Sequence, residues 1–197
     1  MSIVVEHEKR KREILEKALD VFLEEGYAGA SYQKIADRCG IARTILYNYF
    51  RNKQEIFRYT IKQVTEGLEK SFKPIIEAKG TSNSERLLLV FKAVIGVCVS
   101  EKKLFSVVLE YLLNSRNRQE TPDDLVRRRV IKLRMIVTGI LMDGMKSGEF
   151  RKINARGINE AYYSIIEATV VRLVIMKQES VDDSIEAVAS LIESVQA

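Results

Sequence analysis

Residues 42–50 read Ala-Arg-Thr-Ile-Leu-Tyr-Asn-Tyr-Phe. Written on a helix, Leu46 and Phe50 share one face, and Arg43, Thr44, Tyr47 and Asn48 fall on the outer one. These four side chains have a shared chemistry. Arginine can grip guanine with two hydrogen bonds, and asparagine can do the same for adenine. Tyrosine and threonine hydroxyls can reach phosphate oxygens. The same composition also suits an ordinary polar surface helix. Lys53 adds a second signal. It stands in the first turn of a following helix, where a cation meets the positive end of the dipole at a cost of up to roughly 1 kcal/mol. A phosphate at that place reverses the sign, because backbone N–H groups, dipole and ammonium all attract it. The plain alternative is a tolerated surface lysine offset by Glu55.

Several elements must hold these residues. Ile14, Leu15, Ala18, Val21 and Phe22 form the apolar face of a first helix that ends at Gly26, a residue suited to a left-handed cap. Ser31 can cap a short helix over 32–39 through its hydroxyl, with Ile35 and Ala36 inward. Gly40 ends it, and the next helix runs over 42–50. Two short helices joined by a tight glycine turn have helix-turn-helix spacing, and the second can enter a major groove. Asn52 and Glu55 resemble a capping box that starts a long helix running toward Pro74 and Ala78. Further helices are expected over 84–99, 102–114, 121–145, 155–177 and 181–195. The segment Thr121-Pro122-Asp123-Asp124 is a strong start for the third of these.

Residues 26–57, GYAGASYQKIADRCGIARTILYNYFRNKQEIF, resemble the DNA-binding region of TetR-family transcriptional regulators. The resemblance rests on Ser31, Ile35-Ala36, Gly40, Leu46-Tyr47-Asn48-Tyr49-Phe50 and Lys53 in register. It implies that Ser31, Tyr32 and Gln33 lie near the DNA backbone and groove edge. It also implies that Arg43, Thr44, Ile45, Tyr47 and Asn48 face the groove, and that Tyr47, Tyr49 and Lys53 hold phosphates. Two positions depart from the family pattern. Ala42 replaces a capping Ser or Thr, which weakens the start of the second helix. Ile45 replaces a small or hydroxylated residue and can pack on a thymine methyl.

Composition bounds the alternatives. The chain has 197 residues, 46% hydrophobic and 30% charged, which is enough for one or two packed domains. Two Pro and ten Gly favour an all-α fold over one with many β-turns. His7 is the single histidine and sits in a polar N-terminal stretch, which argues against a multi-histidine metal site or a Ser-His-Asp arrangement. No cofactor and no metal are expected. Two cysteines make no disulfide framework, and Cys39 and Cys98 read as reduced, buried residues. No apolar run reaches the roughly 18 residues of a membrane span, and the N-terminus lacks a signal-peptide pattern. A cytoplasmic protein with no membrane partner is therefore expected. Of the net +5, residues 1–60 carry +2, from 11 basic and 9 acidic side chains. The basic excess is local: Lys9–Arg12, then Arg43, Arg51, Lys53 and Arg58 against Glu55.

The resulting expectation is an all-α chain with a helix-turn-helix domain over 1–52 and a helical regulatory domain over 53–197. In the last helix Val181, Ile185, Val188, Ile192 and Val195 recur at 4, 3, 4, 3, a narrow stripe suited to packing along another helix. The helix before it carries Ile158 and Ile165 and is apolar around much of its girth. Burial in one chain's core explains that pattern, and so does a two-fold interface. The resemblance implies the interface, and hence a homodimer reading a palindromic double-stranded operator. It also implies a pocket for a small lipophilic ligand among Phe91, Cys98, Phe105, Tyr111, Met135, Thr138, Met142 and Tyr163, residues that fill a core equally well. Arg127-Arg128-Arg129 splay over different faces and read as solvated. The function implied is a ligand-responsive repressor, not an enzyme. The alternative is a helical adaptor that binds proteins without specific DNA binding.

Overall fold

The computed structural model describes residues 3–115 and 124–197, and all of its regular elements are α-helices. They are α1 (Ile3–Gly29), α2 (Tyr32–Cys39), α3 (Arg43–Leu46), α4 (Lys53–Glu77), α5 (Asn83–Ser100), α6 (Lys102–Ser115), α7 (Asp124–Ser147), α8 (Ala155–Val174) and α9 (Asp182–Glu193). Residues 116–123, with most of the Thr121–Asp124 start, fall outside the described residues. No described helix is long and apolar enough to cross a membrane.

The chain divides into two compact units. One is Met1–Val64 with Lys103–Leu125, and the other is Thr65–Lys102 with Val126–Ala197. The first holds α1 to α3, the first half of α4, and nearly all of α6. Its core is the predicted face of α1 (Ile14, Leu15, Ala18, Val21, Phe22) closed by Ile35, Ala36, Leu46, Phe50, Ile56 and Phe57, all buried. Each such large side chain contributes roughly 1.5–3 kcal/mol on burial. Tyr111 of α6 joins this unit through ring contacts with Tyr27 and Phe57 at 4.8 and 5.0 Å. Lys103 pairs with Asp20. The sequence division at residue 52 follows the motif, whereas packing groups α6 with the first unit.

Three elements differ from expectation. The polar N-terminal stretch is helical from Ile3, so His7 belongs to α1 rather than to a tail. Gly26 does take positive φ, but at φ 67, ψ 162 it is not left-handed helical, and α1 resumes for one more turn to Gly29. The second short helix is cut to Arg43–Leu46. Ala42 offers no side-chain cap, and the following N–H groups of Asn48 and Tyr49 bond three residues back, to Ile45 and Leu46. Such bonds tighten the end of a helix into turn geometry.

In the second unit, Ser82 caps α5 and Asn154 caps α8 through side-chain oxygens. Glu149 accepts hydrogen bonds from the backbone N–H groups of Asn83 and Ser84, both at 2.7 Å. Those are orphan donors of the first turn of α5. α8 stops at Val174, three residues short of the expected end, where Lys177 enters positive φ.

Candidate nucleic-acid interface

The outer face of the helix-turn-helix is built as its local signals require. Ser31 Oγ accepts from the Lys34 N–H at 3.1 Å, which fixes the start of α2. Gly40 adopts φ 65, ψ 33 and returns its N–H to the carbonyls of Ala36 and Asp37. A side chain in that left-handed conformation costs roughly 1–2 kcal/mol, which glycine avoids. Leu46 and Phe50 are buried at 0% and 1% exposure. Arg43, Thr44, Ile45, Tyr47 and Asn48 are all exposed, and Tyr49 is half-buried. Ser31 and Gln33 are also exposed, while Tyr32 is half-buried.

These side chains are linked. Arg43 Nη2 donates to Tyr47 Oη at 3.0 Å, and the Tyr47 ring lies 4.7 Å from that of Tyr32. The Tyr32 hydroxyl donates to the Phe50 carbonyl. Gln33 Nε2 donates to Asp37 Oδ1 on its own helix. The first helix also reaches this surface. His7 stacks on Tyr49 at 4.8 Å, and Lys11 Nζ lies 4.4 Å from the Tyr59 ring and 5.5 Å from the Phe50 ring. The spacing of His7 and Lys11, one helical turn apart, is the signal that could have placed both on one face. Next to α3, Arg51, Arg58, Lys62, Tyr59 and Glu55 line an open concavity at the start of α4. Asn52 Oδ1 caps α4 by accepting from the Glu55 N–H at 2.8 Å, and the Glu55 carboxylate accepts from the Arg51 N–H.

Lys53 differs most from expectation. Its ammonium donates to the carbonyls of Tyr27, Ala28 and Ala30 at 2.7, 3.2 and 2.8 Å. An ammonium has three N–H donors, so these bonds use its full set. The three carbonyls lie where α1 ends and would otherwise be orphaned there. Lys53 therefore ties the end of α1 to the start of α4, and a phosphate would have to displace one of these bonds. Sequence reasoning missed this because the partners lie more than twenty residues away.

Residues 14–60 match the family described as bacterial regulatory proteins, tetR family. Over 184 residues the chain is 27% identical to the fatty acid metabolism regulator protein of Bacillus subtilis, covering 87% of this chain and 89% of that one. It is 23% identical over 179 residues to the transcriptional activator FasR of Mycolicibacterium smegmatis, covering 83% of this chain and 80% of that one. The likeness to the TetR family is carried by residues 14–60 and by these full-length regulators. Solved structures agree in fold. The fatty acid degradation regulator FadR of Bacillus halodurans superposes with a TM-score of 0.75 at 18% identity, over 93% of this chain and 94% of that one. KstR2 of Mycobacterium tuberculosis superposes with a TM-score of 0.73 at 19% identity, over 95% of both chains. These relatives are named as regulators, not as enzymes.

The residues expected to serve dimerisation and ligand binding are placed less simply. Val188, Ile192 and Val195 are 0%, 5% and 1% exposed within the single chain, where α9 packs on α5 and α8. They fill the chain's own core rather than lying on an outer face. Ile158, Ile165, Val181 and Ile185 are half-buried, and exposed Ala161, Ala168, Val171 and Ile175 extend the uncovered face of α8. Among the pocket candidates, Phe91 and Cys98 are buried in the second unit. Burial pushes the Cys98 thiol up to about 12. Cys39, expected buried, is only half-buried. Thr138 Oγ1 donates to the Arg134 carbonyl at 2.9 Å and accepts from Asn159 Nδ2 at 2.6 Å. The Tyr163 ring lies 4.4 Å from the Arg134 guanidinium, and burial pushes its hydroxyl up to about 12. Met135 and Met142 are exposed, at 69% and 42%. Half-buried Phe105 belongs with Tyr111 to the first unit.

Proposed function

We propose that this TetR-family transcriptional regulator binds a palindromic double-stranded DNA operator as a homodimer and is released from it by a small lipophilic ligand. Residues 1–52 then read DNA and residues 53–197 serve dimerisation and ligand response. One observation carries the reading. Arg43, Thr44, Ile45, Tyr47 and Asn48 project together from the short element after the Gly40 turn, on the side away from the core. Their side-chain types suit guanine, adenine, thymine-methyl and phosphate contacts, which supports the reading. Ser31, Gln33 and Tyr49 flank it, toward the DNA backbone.

Two recognition elements one DNA turn apart require a two-fold dimer. The uncovered apolar face of α8, with Ile158, Ile165 and Ile185 at its margin, supports that assembly. The lipophilic ligand is supported by the chemistry of Phe91, Cys98, Thr138 and Tyr163 and by the Bacillus subtilis relative, which is named as a fatty acid metabolism regulator. Release on ligand binding requires unequal ligand affinity for the DNA-competent and DNA-incompetent conformations. A protein that reads operator DNA works in the cytoplasm.

The test is selection of DNA sites from random duplexes, followed by anisotropy titration with long-chain fatty acids and their coenzyme A thioesters. A salt-sensitive palindromic site released by one of these compounds is expected. Failure to select any site would leave the protein-binding adaptor as the better reading.

A further inference from the structure

Tyr32 stands one residue after the cap of α2, and its ring and hydroxyl have separate partners. The hydroxyl donates to the Phe50 carbonyl, at the far end of the turn that follows α3. Burial pushes that hydroxyl up to about 12, so it remains a donor throughout the physiological range. The ring lies 4.7 Å from that of Tyr47, tilted by 32°. The Arg43 guanidinium carbon is 5.9 Å from the Tyr32 ring and 5.7 Å from the Tyr47 ring, and Nη2 is bonded to Tyr47 Oη at 3.0 Å. Arg43 is thus shared between two aromatic rings, one just past the end of its own helix and one from α2. Both distances lie inside the range for cation–π attraction.

This arrangement answers a difficulty in α3. The helix is four residues long and its first position has no side-chain cap. A single uncapped turn is a poor platform for an exposed arginine, which must lose rotamer freedom to grip a base with two bonds. Support from a second helix removes part of that loss before DNA arrives.

We propose that Tyr32 is a positioning residue for base recognition: its ring presets the Arg43–Tyr47 pair, and it makes no DNA contact of its own. This rests on the DNA-reading function proposed above. Tyr32 then sets how sharply one base pair is read, while Tyr47 and Arg43 do the touching.

The experiment uses the full chain and the site that the unmutated protein selects. Affinities are measured for that site and its single base-pair variants, at several salt concentrations. Y32L is expected to lower discrimination about tenfold at the same base pair that R43A blunts, within the range a good bidentate contact supplies. Its salt slope stays unchanged, and the double variant loses no further discrimination. Y32F keeps the ring and is expected to keep the discrimination. Uniform weakening of all sites by Y32L, with a slope lower by about one unit, would make Tyr32 a phosphate contact and overturn the proposal. Equal loss in Y32F and Y32L would overturn it too, by placing the effect in the hydroxyl tie. If Y32L does not fold, the NMR shift of the Arg43 side-chain protons in the unmutated protein decides. Ring-current shifts upfield are expected, and random-coil shifts would remove the stack. If no site is selected, the functional reading fails, and the same shifts still test the stack.

Discussion

Replacing Lys53 by alanine separates two accounts of one residue. The ammonium holds three carbonyls, at 2.7, 2.8 and 3.2 Å, where α1 gives way to α2. Hydrogen bonds to a charged group each contribute roughly 1.5–3 kcal/mol, but neighbouring bonds to one ammonium do not add, and water re-solvates exposed carbonyls. The Ala28 bond is exposed, whereas those to Tyr27 and Ala30 are partly buried. Loss of two effective bonds, less solvent compensation, gives about 2 kcal/mol. For a chain of this size that lowers Tm by about 4–8 °C. The assays are thermal unfolding by circular dichroism and a salt titration of DNA affinity. The expected result is lowered stability with an unchanged salt slope. A slope lower by about one unit with stability unchanged would refute the tie and restore Lys53 to the phosphate contacts.

Other perturbations test the remaining parts. R43A should cost about 1–3 kcal/mol of operator affinity and relax preference at one base position, as read by a panel of base-pair variants; uniform weakening would assign Arg43 to the backbone. A168E combined with I185E should convert the dimer to a monomer by light scattering while preserving helicity, since both side chains lie outside the core. A double variant that stays dimeric would move the interface elsewhere. Glu149 provides a pH test. Burial alone would raise its carboxyl, but hydrogen bonds from the backbone and side chains of Ser84 and Asn83 outweigh that, and the net shift is downward. A lowered folded-state value means stability that is present above the unfolded value of about 4.3 and lost as pH falls through the folded one. E149Q should therefore cost about 1 kcal/mol at pH 7, after discounting for solvent, and flatten the acid limb of the stability curve. An acid limb identical to that of the unmutated protein would contradict this role.

The parts of the fold that were legible in the sequence are those set by local chemistry. Ser31 caps, Gly40 turns, Asn52 caps while Glu55 reaches back to the Arg51 N–H, and the α1 face is buried, because each depends on neighbours within one or two turns. What was not legible depends on distant partners. An apolar stripe such as Val188, Ile192 and Val195 has the same spacing whether it meets its own core or a second subunit, and here it meets its own core. The outward Met135 and Met142 were indistinguishable from buried neighbours by type alone. In the recognition element, the outward residues followed from periodicity, yet its length did not, because no cap at Ala42 resists the tighter turn. The Tyr32–Phe50 and Lys53–Ala30 ties join residues 18 and 23 positions apart. Nothing in their local sequence announces them.

The most direct test is a footprint of the purified protein on DNA upstream of its own gene, across a salt series. The account predicts protection of two half-sites one helical turn apart, lost in R43A and weakened steeply by salt. Protection of a single half-site, or binding indifferent to both salt and R43A, would contradict it.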